Sequence, residues 1–134
     1  MAATGVAVVR AADGVDKPQG FTYFHGVSKE AVGATWLAMH LGVLPPGMVG
    51  LAHTHADHET AVYVLEGEAL IRWGAGLTHE TRATAGDFVF VPAGIPHQAI
   101  NPSTTEACRT VIARTDPSEE EAAVMVEVPR GADS

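Results

Sequence analysis

Four side chains able to hold a metal ion stand within seven residues: His53, His55, His58 and Glu59. They open the stretch LAHTHADHETAVYVLEGE (residues 51–68), which continues as an apolar run past a glycine. A fifth candidate, His97, ends the segment PAGIPH. Three imidazoles and a carboxylate suit Fe(II), Mn(II), Ni(II), Cu(II) or Zn(II). Open positions on such an ion can take a substrate oxygen, O₂ or water.

That chemistry needs elements that aim the ligands at one point. An H-x-H pair on a strand puts both imidazoles on one face, because side chains alternate with period 2. A short break then lets the next strand bring a carboxylate back. In PAGIPH the prolines fix φ and the glycine is free to take positive φ, so the turn can aim His97 from elsewhere in the chain.

The rest of the sequence supplies such elements. Segments rich in Val, Ile, Thr and aromatics alternate with turn residues, which predicts strands near 5–10, 21–27, 35–44, on both sides of 56–58, and at 69–73. Further strands are predicted at 78–84 (solvent-facing), 87–91 (buried), 97–101, 108–114 and 124–128. The single helix signal is DPSEEEAA from Asp116, with a possible cap, a proline and acids in the first turn. Roughly ten short strands with regular turns mean an all-β sandwich or barrel, and periodicity alone stops there.

Composition narrows the partners. The chain has 134 residues, one domain's worth, and a formal net charge of −8. That balance argues against nucleic acid and against an anionic membrane surface. One cysteine, Cys108, excludes an intrachain disulfide and reads as a packed thiol. With no signal-like segment and no apolar run of membrane-spanning length, the default expectation is a cytoplasmic protein.

Two motifs decide among the all-β folds. The first is Gly47, five residues, His53-Thr54-His55, three residues, Glu59, and later Gly67. The second is Gly86, five residues, Pro92-Ala93-Gly94, two residues, His97, three residues, Asn101. Together they resemble the two signature motifs of the cupin superfamily, over about residues 47–101. The resemblance implies a small single-domain cupin spanning 1–134, a double-stranded β-helix (the jelly-roll barrel) with a core at about 35–114 and strand extensions at both ends. It also implies a divalent transition metal held by His53, His55, Glu59 and His97.

The first motif departs from the family in one respect. Seven residues separate Glu59 from Gly67 where six are usual, and counting back from Gly67 the ligand position is Thr60. On a regular strand His58 and Thr60 share one face, Glu59 and Ala61 the other. Either a bulge at 60–62 returns Glu59 to the interior, the arrangement expected here, or His58 replaces it in a four-histidine site.

Several other residues are candidates for the pocket. His40 and Tyr63 are possible wall residues, Trp73 reads as packing, and His25 and His79 show no partner in sequence. The expected function is a metal-dependent enzyme, dioxygenase-like or otherwise, acting on an apolar or aromatic small molecule. The alternative is a metal-stabilised barrel that binds a small ligand without turnover. A homodimer is expected, with contacts at 5–10 or 35–44, because small jelly rolls leave sheet edges to cover.

Overall fold

The computed structural model describes residues 3–10, 14–17, 20–120 and 123–126. Among the described residues eleven strands form two antiparallel sheets, the double-stranded β-helix that the motifs imply. The first sheet orders β1 (Val15–Asp16), β2 (Thr22–Val27), β3 (Ala38–Leu44), β10 (Cys108–Arg114), β5 (Thr60–Glu66) and β8 (Phe88–Val91). The second orders β11 (Val124–Met125), β4 (His53–Thr54), β9 (His97–Ile100), β6 (Glu68–Trp73) and β7 (His79–Thr84).

Alternation along the central strands builds the interior. On β3 the inward row is Ala38, His40, Gly42 and Leu44; on β10 it is Cys108, Thr110, Ile112 and Arg114. Register places Leu44 opposite Cys108 and Ala38 opposite Arg114, so the barrel has an apolar end and a polar end. Leu44, Met48, Val64, Ala69, Ala83 and Cys108 pack the apolar end. Burial pushes the Cys108 thiol up to about 11, so it stays protonated there.

Two turns carry the motif residues. Asn101 is buried and its amide donates to the carbonyls of Leu44, Pro45 and Glu106, while its Oδ1 accepts from the Ser103 N–H. Gly67 turns β5 into β6 at φ 82°, and a Cβ there would sit 2.8 Å from the Ala107 carbonyl oxygen, so only glycine fits.

Four sequence expectations need correction. Residues 5–10 are exposed and form no strand. Strand β8 is half-buried rather than buried: Val89 and Val91 face the cavity, while Phe88 and Phe90 alternate to the outer face and are 82% and 60% exposed, at a sheet edge where β5 is the neighbour among the described residues. No helix forms over residues 116–120; the described helix is α1 (Lys29–Val32), capped by the Ser28 hydroxyl, which accepts from the Ala31 N–H, and closed by Gly33 in the left-handed region. The irregularity in β5 lies at the Arg109/Thr110 shift opposite Val64 and Glu66, not between Glu59 and Val62. Both neighbours pair with Thr60–Val62 residue by residue, so alternation is preserved there. The expected strand at 124–128 is described at Val124–Met125; 127–128 lie outside the described residues.

Candidate metal centre

Strands β4 and β9 run side by side with His53 directly opposite His97. Their rings are 4.3 Å apart, centroid to centroid. His55, two residues on, shares their face, 4.7 Å from His53 and 5.1 Å from His97. All three are buried, and one nitrogen from each lies within 4.8 Å of the others, so the cluster is positioned for a metal.

The donor set fits a divalent transition ion. The Nδ1 of His53 lies 2.9 Å from the Leu51 carbonyl, and that of His97 lies 2.9 Å from the Ile95 carbonyl. A carbonyl can only accept, so each Nδ1 carries the proton, and in the neutral form of either ring Nε2 is the nitrogen with the lone pair. Burial, with His97 alongside, pushes the His53 pKa down to about 4, so its ring is neutral at pH 7, the state that ligates.

Glu59 is not brought into this cluster. It precedes β5 and is exposed. Its backbone is clamped by Thr115: the Glu59 N–H donates to Thr115 Oγ1 (3.0 Å) and the Thr115 N–H donates to the Glu59 carbonyl (3.1 Å). With no bulge at 60–62, parity leaves its side chain outside. His58 instead is 4% exposed, with its ring 4.5 Å from that of His55 and its Nδ1 3.9 Å from an Asp116 carboxylate oxygen.

The three histidines line a cavity of about 80 Å³ whose wall is otherwise mostly Val, Leu, Ile, Ala and Phe. A groove of about 280 Å³ lies beside it, and Ile71, Val89, Val91 and His97 line both. Among the described residues no Asp, Glu, Lys or Arg lines either space.

The remaining candidates fall elsewhere. Tyr63 faces out and packs on Phe88 at 4.7 Å. His40 is buried but outside the cavity wall, 4.7 Å from the ring of His25, and its Nδ1 accepts from the Gly26 N–H. Trp73 lines the groove, stacks on His79 at 4.3 Å and donates from Nε1 to Thr81 Oγ1. From sequence Trp73 reads as packing and Thr60 has no pocket role, although the spacing from Gly67 points to Thr60.

The chain belongs to the cupin family: the family described as Cupin domain matches residues 40–113. No curated protein matches it. Among solved structures it is similar to the polyketide cyclase RemF from Streptomyces resistomycificus, at 20% identity over 96% of this chain and 89% of that one (TM-score 0.72). It is similar to KdgF from Halomonas sp., at 19% identity over 87% and 97% (TM-score 0.69). An S161A mutant of Bacillus subtilis oxalate decarboxylase matches at 19% over 86% of this chain and 30% of that one (TM-score 0.70). At these identities the likeness establishes the fold alone. Among the described residues no helix is long and apolar enough to cross a membrane.

Proposed function

We propose that this cupin is a metal-dependent enzyme acting on an uncharged, apolar or aromatic small molecule. The observation that carries the reading is the set of three buried imidazoles, two with Nδ1 protonated, at the wall of an apolar cavity whose described lining carries no Asp, Glu, Lys or Arg. When bound, a divalent ion supplies a Lewis-acid position for a substrate or water oxygen. His53, His55 and His97 hold it, and His58, whose ring lies 4.5 Å from that of His55, is the proposed fourth ligand. The apolar groove beside His97 takes the body of the substrate. A dianion such as oxalate would find no Lys or Arg among the described residues of either wall, whereas a ring system of the polyketide kind would meet Trp73, Phe90 and Ile95. Oxygen chemistry and redox-neutral chemistry are both open to such a site. Incubating iron-, manganese- and zinc-loaded protein with phenolic and polyketide-like compounds, with O₂ uptake followed, tests the reading. Turnover that needs the metal supports it, and its absence throughout counts for a binding role.

The proposed assembly is a homodimer. Trp36, Leu37 and Met39 are exposed beside and within β3, where a contact is expected from the sequence.

A further inference from the structure

Thr60 is the first residue of β5 and faces inward with Val62 and Val64. It is 8% exposed and lines the same cavity as His53, His55 and His97. Its Oγ1 is buried and has no hydrogen-bond partner among the described residues. The other threonine on that wall is satisfied: Thr110 Oγ1 donates to the Gly42 carbonyl at 2.7 Å.

A buried hydroxyl without a partner is uncommon and calls for a reason. Packing is not the reason, because valine has the same shape and occupies neighbouring wall positions at 62, 64, 89 and 91. Nor is Thr60 free to swing away. It is paired on both sides, with Arg114 and Val91, and a β-branched side chain has few χ1 choices. A hydroxyl oxygen held in place inside an apolar cavity that also holds three imidazoles can turn its O–H toward a ligand atom that carries lone pairs.

We propose that the Thr60 hydroxyl donates a hydrogen bond to the ligand atom that occupies the open position of the metal. It is thus a positioning residue for a hydroxide, enolate or phenolate oxygen. The inference rests on the metal reading above. It assigns to Thr60 the inward place that Glu59 does not fill, and it gives the site a neutral donor there instead of a carboxylate. An anionic oxygen therefore meets a donor beside the metal, where a carboxylate would repel it.

Cobalt(II)-loaded wild type, Thr60→Val, Thr60→Ser and Thr60→Ala proteins test this, with azide as the probe and the cobalt absorption bands as the readout. Cobalt content is measured before azide is added. The expected result is equal cobalt in all four proteins. Azide affinity should fall about tenfold in the Val and Ala variants, the scale of one charge-assisted hydrogen bond, and be largely retained in Ser. Azide affinity unchanged in Val and Ala overturns the proposal. So does loss of cobalt from those variants, which would make Thr60 a ligand or a support of the ligands. A wild-type protein that takes up no cobalt overturns the metal reading and this inference together.

Discussion

The backbone N–H of Gly94 donates to the carbonyl of His55 at 2.7 Å. This bond ties the turn that precedes His97 to the segment that carries His55, so the two motifs are held in register by main chain rather than by metal. Gly94 has φ 78°, and a Cβ there would meet nothing within 4 Å. Gly94→Ala should therefore cost about 1–2 kcal/mol through backbone strain alone. Thermal denaturation of metal-free protein measures the cost. Metal affinity should fall as well, because the turn aims His97.

Exchanging the candidate ligands singly separates the two readings of the first motif. Glu59→Ala should leave metal affinity unchanged, since Glu59 is exposed and its clamp to Thr115 uses only backbone atoms of Glu59. His58→Ala should weaken it by roughly 10-fold or more, the scale seen even for groups behind the ligands. A competition assay with a chromophoric chelator measures both. A silent His58→Ala with a damaging Glu59→Ala would show that the carboxylate reaches the metal.

Acid should destabilise the metal-free protein between about pH 6.5 and pH 4. Burial holds His40 down to about 4, with Arg114 and His25 adding to the shift, and burial holds His53 down to about 4 too. In that window the unfolded chain binds protons that the folded chain refuses. The stabilisation is complete above the unfolded value and is lost as pH falls through the folded one. Each ring contributes up to about 3 kcal/mol. The melting temperature should fall steadily from pH 7 to pH 4, and His40→Gln should flatten the fall. An equal slope in the variant would remove His40 from the account.

The proposed dimer predicts a mass of twice the 14.0 kDa chain in light scattering at micromolar concentration. Trp36→Glu combined with Met39→Glu should halve it. A monomer mass for the wild type would contradict the proposal.

The fold and the clustering of His53, His55 and His97 can be read from sequence for a physical reason. His53 and His55 share parity on one short segment, and PAGIPH is stiff enough to fix His97 whatever surrounds it. The fourth position is not legible, because one residue of register decides which face Glu59 occupies. Register here is set by pairing with both Val91 and Arg114, which are distant in sequence. The same limit explains β8: FVF reads as a buried strand, and its place at a sheet edge is a fact of topology. The short helix at Lys29–Val32 has its cap and its glycine written plainly in S-K-E-A-V-G, yet four residues give no periodicity to detect. Trp73 stacks on His79 and also lines a groove, a position that depends on the assembly of β6, β7 and β8.

The central claim is that His53, His55 and His97 hold one divalent metal. The direct measurement is elemental analysis of untagged protein beside a His53→Ala/His97→Ala variant, with folding of both checked by circular dichroism. The account predicts about one equivalent of a transition metal per wild-type chain and almost none in the folded variant. Equal metal content in the two proteins, or none in either after exposure to iron, manganese, zinc, nickel and copper, would contradict it.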